Sequence, residues 1–407
     1  MRKLGIYVQV PFCQTKCTYC NFHTGVVAKE RFSPYAEAVC REIRQHRDWL
    51  RGAGVDWGES GEWPIEALGK QGPSGENEET NYLVDTAYFG GGTPSLLEAQ
   101  QLQKILDAIR STFRTEFAEV TLEADPETVE AEKAAAWVRA GINRVSFGVQ
   151  SFSDKELAAA GRMHRRADVY RAVPILRKAG IRNISFDLIA GLPYQTKASW
   201  EQSVDELVAL APEHVSVYLL EVDEGSRLGK ELLLGGTRYS AASVPSEDEM
   251  AEFYEMAQEA LGAAGYHHYE ISNWAKPGFE SKHNLKYWRR EAYLGFGAGA
   301  HSFSGRQRWA NAHDAAAYAS AIESGRLPVE QLESVTADQA LEEELFLGLR
   351  QLDGIDLRRI EKEYGVALGA RFESLAAAGL VEREGDVVRL AEEKLSVSNE
   401  VFVELMR

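Results

Sequence analysis

The chain has 407 residues, 44% of them hydrophobic and 26% charged, and a net charge of −17. That is the balance of a globular protein with room for two or three domains and a large core. It argues against general nucleic-acid binding, which needs surface cations to replace the counterions of phosphate. It also argues against a transmembrane protein, since no apolar run approaches the roughly 20 residues that span a bilayer.

The basic start MRKLGIYVQVPFC has too short an apolar stretch for a signal peptide. LGIYVQV (4–10) predicts a strand, rich in β-branched and aromatic residues. Residues 33–50, SPYAEAVCREIRQHRDWL, predict a helix with Ser33 as N-cap, Pro34 at N1 and Cys40 in its core face. Residues 52–81 hold seven Gly, two Pro and seven acids against one Lys. That composition predicts a solvated, mobile insertion, with Trp57 and Trp63 as its only anchors.

An alternation follows. VDTAYFGG predicts a strand and SLLEAQQLQKILDAIRSTF a helix capped by Ser95. EVTLEAD predicts a strand and PETVEAEKAAAWVRAG a helix ending at Gly141. INRVSFGVQS predicts a strand, and a helical stretch over 153–179 ends at Gly180. IRNISFDLIAGLP predicts a strand, ASWEQSVDELVALA a helix and HVSVYLLEV a strand. Six strands joined by helical crossovers are parallel and right-handed. A partial (β/α)6 barrel and an open doubly wound sheet both fit.

Past residue 245 the alternation is lost. A helix near 246–264 precedes HYEISNWA and SKHNLKYWRREAYLGFGAGAHSF. The tail from about 336 is mostly helical, with LVEREGDVVRL as a hairpin, and resembles a winged helix. Residues 351–407 hold eight Lys and Arg against twelve acids, the wrong sign for reading DNA, so this domain is expected to be structural or partner-binding. The expected division is a barrel over 1–240, an α+β extension over 241–310 and a C-terminal helical, winged-helix-like domain over 311–407.

The chemistry gathers where strands end. CQTKCTYC follows the first strand and GGGTPS the second. Glu123 closes the third and Gln150 the fourth, Asp187 and GLP mark the fifth, and Glu221 ends the sixth. In βα folds these ends build the active site. Three of the four cysteines, Cys13, Cys17 and Cys20, lie within eight residues. This is no disulfide framework, so a reducing cytoplasm is the expected setting. Thiolates select zinc or iron–sulfur clusters. Zinc with His23 as fourth ligand, a redox dithiol, and a 4Fe–4S cluster with one iron left open to a chelating molecule are the three readings.

C-x3-C-x2-C with Tyr19 before the third cysteine resembles the radical S-adenosylmethionine (SAM) superfamily. YVQVPFC, YFGGGTPS, EADP, GVQSF, GRMH, FDLIAGLP and HNLKYW extend the likeness along about 300 residues. They resemble the branch that holds the oxygen-independent coproporphyrinogen III oxidases and the haem chaperones. The resemblance implies a radical-SAM barrel with Cys13, Cys17 and Cys20 on a 4Fe–4S cluster and SAM on its open iron. Reductive cleavage of SAM to a 5′-deoxyadenosyl radical is the implied chemistry, with an electron donor for the cluster. Gly91, Gly92 and Thr93 would hold the methionyl end of SAM, Glu123 and Asp187 its ribose or amino group, and Arg162 its carboxylate. Gln150, Tyr7 and Tyr19 are implied as further SAM contacts. At Glu221 these relatives carry a small residue, so no contact is carried over there.

Two departures separate the branches. The oxidases carry a fourth cysteine where this chain has Phe22, and more residues before the cluster. HNLKYW (283–288) is similar to the haem signature of the chaperone branch. The resemblance therefore implies a cytoplasmic haem chaperone that passes haem to acceptor proteins, respiratory enzymes at the membrane among them, with peripheral membrane contact there. Radical oxidative decarboxylation of a porphyrinogen is the second reading, and a zinc-stabilised scaffold the third. His283 is the expected haem ligand, with Tyr287 one helical turn on and Trp288 beside it. Lys282, Lys286, Arg289 and Arg290 would hold the propionates. His301 is the rival or second ligand.

Overall fold

The computed structural model of the chain describes residues 2–52 and 82–405. The expected insertion, apart from Gly52, lies outside the described residues. β1 (Arg2–Val10) buries Leu4, Ile6, Val8 and Val10. A 3₁₀ turn at Lys29–Arg31 runs straight into α1 (Phe32–Gly52). The helix therefore starts ahead of Ser33, which stands in its first turn and not at its cap. Cys40 is fully buried, as expected.

The alternation then proceeds through β2 (Tyr82–Gly91), α2 (Ala99–Thr112), β3 (Thr115–Ala124), α3 (Ala131–Ala140), β4 (Arg144–Gln150), α4 (Asp154–Ala159) and α5 (Arg166–Ala179). β5 (Asn183–Ala190), α6 (Lys197–Leu210) and β6 (His214–Leu219) complete it. β1 to β6 are neighbours in sequence order, and each pair is parallel. This is an α/β architecture on a parallel run of six strands, so every one of these strand ends points to one rim. The helices cover the outside with one apolar face each. On α2 that face is Leu102, Ile105, Leu106 and Ile109, at helical spacing and fully buried.

Three local expectations change. α2 starts at Ala99, capped by Glu98 with Gln101 in return, because the Ser95 hydroxyl is used elsewhere. It accepts from the Thr128 hydroxyl at 2.7 Å and from the Asp125 N–H at 3.3 Å. The helical stretch over 153–179 is split. Gly161, at φ 77°, ends α4 in the left-handed region, and residues 161–165 form a loop before α5. β6 ends at Leu219, so Glu221 lies beyond it.

Next come α7 (Arg227–Leu233) and α8 (Glu247–Ala263), whose Ser246 and Glu249 form a capping box. β7 (His267–Glu270) and β8 (Asn273–Ala275) pair antiparallel, and β8 lies against β6. α9 (Lys282–Trp288) is followed by β9 (Tyr293–Phe296), parallel to β1, and by β10 (His301–Phe303) and β11 (Gln307–Asn311). α10 (Ala315–Glu323) and β12 (Val329–Ser334) complete the large sheet. Its order is β12-β11-β10-β9-β1-β2-β3-β4-β5-β6-β8-β7, so it runs across residues 240 and 310 without a break.

The C-terminal unit comprises α11 (Ala337–Gly348), β13 (Ile355–Asp356), α12 (Leu357–Tyr364), α13 (Gly369–Ala377), β14 (Val381–Glu384), β15 (Val387–Leu390) and α14 (Ser398–Leu405). β14 and β15 form the hairpin expected in LVEREGDVVRL, with β13 added to β15. A large apolar core runs from Leu4 to Leu405, and a second, smaller cluster packs Leu228 of α7 with Ile189, Leu192 and Met250. Among the described residues no helix is long and apolar enough to cross a membrane.

Candidate functional site

A cleft of about 590 Å³ opens over the C-terminal ends of β1 to β6. Cys13, Cys17, Tyr19, Cys20, Gly91, Gly92, Thr93, Glu123, Gln150, Arg162 and Asp187 all line it. These residues come from six separate segments, brought together because parallel strands all end on the same side.

The cysteine loop is pinned at several points. Cys13 N–H donates to Gly25 O at 3.0 Å and Thr18 N–H to Ala160 O at 3.0 Å. All three thiols are free and half-buried. Burial, the largest effect, raises Cys13 and Cys20 above the usual thiol range. A bound metal cation would reverse that shift, since metal binding releases the thiol proton. The buried Thr24 hydroxyl faces Cys13 and Cys20 and draws both thiols down against that burial. His23 does not line the cleft. Its ring lies 4.3 Å by centroid from that of His313.

Arg162 ties the loop to the strand ends. Its Nη1 lies 3.5 Å from Cys17 Sγ, and its Nη2 donates to Gly148 O at 2.9 Å and pairs with Asp125. Thr93 Oγ1 donates to the other Asp125 oxygen at 3.3 Å. At Gly92 a Cβ would come within 2.5 Å of Phe12 O, so only glycine lets this turn lie against the start of the cysteine loop.

Below the loop lies a layer of acids. Glu123 accepts from the Tyr88 hydroxyl at 2.8 Å and from Gly91 N–H at 3.0 Å. Burial, and then the facing Asp187, push it up to about 7 against the pull of those donors. Burial likewise takes Asp187 to about 6, opposed by Ser216, Arg144 and Ser146. Gln150 sits in the left-handed region at φ 65°, and its Oε1 is buried without a partner. A strained strand end carrying an unmet acceptor fits a ligand that donates there.

Tyr7 and His283 do not line the cleft. Tyr7 stacks on Tyr88 with centroids 6.0 Å apart, and its hydroxyl donates to Gln9 Oε1 at 2.6 Å. His283, on α9, is 1% exposed. Its Nδ1 is bonded to Thr86 Oγ1 and its Nε2 to Tyr287 Oη, both at 2.9 Å. Burial, and then Lys286 and Arg144, push it down to about 3. In this conformation neither ring nitrogen is open to an iron.

The flanking cations are also engaged. Lys286 is buried and bridges Asp85 at 2.8 Å and Glu291 at 3.2 Å. Arg290 pairs with Glu343 at 3.0 Å, and Arg289 Nε donates to Gln351 at 3.3 Å. As folded, the expected propionate cluster is therefore largely spent on internal contacts. α9 instead packs against β2 and β3, with Glu119 of β3 accepting from Lys282 N–H at 3.0 Å and His283 N–H at 3.1 Å.

Sequence reasoning missed Asp125, Arg144, Ser146 and Tyr218, which also line the cleft. Asp125 carried a signal, since EADP ends a strand. Arg144 starts its strand, so its presence in the cleft follows only from the length of its side chain. Arg350, Ser396 and Asn399 reach the same cleft from the C-terminal unit, which no local pattern announces.

A six-strand parallel rim with three open thiols and a glycine turn beside them defines a class of protein. The Radical SAM superfamily model matches residues 76–207, and the model described as HemN C-terminal domain matches residues 335–393. The E. coli coproporphyrinogen III oxidase HemN, described as a radical SAM enzyme, has a similar fold, with a TM-score of 0.79 over 99% of this chain and 90% of that one at 21% identity. A Bacillus subtilis protein named heme chaperone HemW is 35% identical over 97% of both chains. The E. coli heme chaperone HemW is 33% identical over 73% of this chain and 69% of its own. A mouse mitochondrial protein named radical S-adenosyl methionine domain-containing protein 1 is 32% identical over 74% of this chain and 60% of its own. The chain belongs to the radical SAM superfamily and, within it, to the HemW family.

Proposed function

We propose that the protein is a cytoplasmic haem chaperone that carries a 4Fe–4S cluster on Cys13, Cys17 and Cys20, binds SAM and hands haem to acceptor proteins. Three free thiols at the rim of a cleft whose other walls are Gly91 to Thr93, Glu123, Gln150, Arg162 and Asp187 are the observation that carries this reading. The cluster, when bound, supplies an open iron to chelate SAM and an electron at low potential. Arg162 holds the cysteine loop and offers cationic N–H groups to a carboxylate. Thr93 and Gln150 supply further polar contacts, and Glu123 and Asp187 accept from ribose hydroxyls or an amino group. The haem part of the reading is supported by the relatives named heme chaperone HemW. The partners are haem-accepting proteins and a reductant for the cluster.

The test is anaerobic reconstitution with iron and sulfide, followed by iron and sulfide analysis and separate SAM- and haem-binding titrations. The expected result is four irons and four sulfides per chain, a cluster lost on replacing any one of Cys13, Cys17 or Cys20 by Ala, and uptake of both SAM and haem. Stoichiometric zinc without sulfide would overturn the cluster. A reconstituted chain that takes up SAM but no haem would overturn the chaperone.

A further inference from the structure

The nine histidines divide sharply by what surrounds them. His46, His164, His214, His268 and His283 are buried or half-buried, and each has a ring nitrogen bonded inside the fold. His214 and His283 use both nitrogens. That leaves His23, His267, His301 and His313. His267 stands on β7 beside the already engaged His268, at the far end of the large sheet from β10. The other three converge although they come from three separate segments: the cysteine loop, the start of β10 and the loop after β11.

The rings of His23 and His313 lie 4.3 Å apart and those of His301 and His313 6.4 Å apart, by centroid. His313 Nδ1 is buried without a hydrogen-bond partner, and Gly299 leaves it room, since a Cβ there would stand 3.1 Å away. A metal-bound imidazole nitrogen lies about 2.0–2.1 Å from its metal, so two rings flanking one iron stand roughly 6 Å apart by centroid. The His301–His313 spacing is of that size.

What surrounds the group selects the ligand. Among the described residues no three ligands converge tightly enough for a bare ion. A haem brings four ring nitrogens of its own and asks the protein for only one or two. It also needs apolar contact. Phe22 and Val26, on either side of His23 in the chain, are 64% and 61% exposed and offer such contact. Lys29 and Arg31 follow on the same segment, exposed and without an ion pair among the described residues. They suit two propionates.

We propose that haem docks on this face, with its iron ligated by His301 and His313, His23 packed against His313, its apolar edge over Phe22 and Val26, and its propionates towards Lys29 and Arg31. This rests on the haem-binding reading and deepens it by naming the site. It puts the haem beside the cysteine loop and leaves His283 to its bonds with Thr86 and Tyr287.

The experiment is a haemin titration of the full-length, cluster-reconstituted chain, followed by the Soret band and by tryptophan fluorescence quenching. The wild type binds haem. A variant combining His23→Ala, His301→Ala and His313→Ala loses at least tenfold in affinity and shifts the Soret band, while its iron, sulfide and SAM binding stay unchanged. His301→Ala and His313→Ala alone each alter the spectrum, and His267→Ala does not. A triple variant with wild-type affinity and spectrum overturns the site. So does loss of haem binding only in step with loss of the cluster. A wild-type chain that takes up no haem overturns the haem reading itself, so the two failures are separable.

Discussion

Arg162 Nη1 stands 3.5 Å from Cys17 Sγ, although 145 residues separate the two in the chain. The same guanidinium also holds Asp125 and Gly148 O, so one side chain joins the cysteine loop to the ends of β3 and β4. Hydrogen bonds of a charged group contribute about 1.5–3 kcal/mol each. Arg162→Ala is expected to lower SAM affinity at least tenfold and to slow cluster loading. Arg162→Lys keeps the charge but not the planar fork, and recovers part of the loss. Titration calorimetry with SAM under anaerobic conditions decides it, and wild-type affinity in both variants would remove Arg162 from the site.

Glu123 makes a pH prediction. Its folded value, about 7, is raised above the ordinary 4.5 by burial first and Asp187 next. The folded state therefore binds this proton more tightly than the unfolded chain. Stability from this group is fully present below about 4.5 and is lost as pH rises through 7. Glu123→Gln removes that dependence. Relative to wild type, the ligand-free variant gains thermal stability at pH 8 and gains little at pH 5. Its SAM affinity falls, because an amide accepts less strongly from a hydroxyl or amino group. Equal melting shifts at both pH values would contradict the assignment.

His283 gives the opposite sign. Its folded value, pushed down to about 3 by burial first and by Lys286 and Arg144 next, lies below the ordinary 6.5. Its contribution is present above about 6.5 and is lost as pH falls towards 3. His283→Ala also strands the Thr86 and Tyr287 hydroxyls, each worth about 1–3 kcal/mol if left buried and unmet. The expected outcome at pH 7.5 is a melting temperature lower by roughly 5 °C or more, with less loss at pH 5. Haem affinity of the folded fraction is expected to be retained. Selective loss of haem binding at unchanged stability would return His283 to the role of ligand.

Phe22 stands where the oxidase branch carries a further cysteine, and it is largely exposed. The wild type is expected to form no protoporphyrinogen from coproporphyrinogen III under anaerobic, reducing conditions with SAM and a loaded cluster. Phe22→Cys is not expected to create that activity, because a thiol there adds no porphyrinogen pocket. Product formation on the order of one turnover per second by the wild type would place it among working enzymes.

Much of the architecture was legible in the sequence, because strands and crossover helices carry local periodicities. The parallel order of β1 to β6, the left-handed Gly141 and Gly180 and the β14–β15 hairpin follow from patterns within single segments. So does the gathering of the strand-end residues in one cleft, since parallel strands share a polarity. Which hydroxyl caps which helix was not legible. Ser95 looked like a cap, yet Thr128 and the Asp125 N–H compete for it across the strand ends.

The fate of HNLKYW was decided only by packing. The motif and its four cations read as a haem site while they were a string. In three dimensions Glu119, Thr86, Asp85 and Glu343 claim the backbone N–H groups, the imidazole and the charges. Burial in a low-dielectric floor makes each of those pairings hard to give up. The convergence of His23, His301 and His313 is likewise a product of the fold, because the antiparallel extension beyond β9 carries the second and third of them back to the cysteine loop. Sequence patterns register contacts at periods of two to four residues, and no such period links residues 23, 301 and 313.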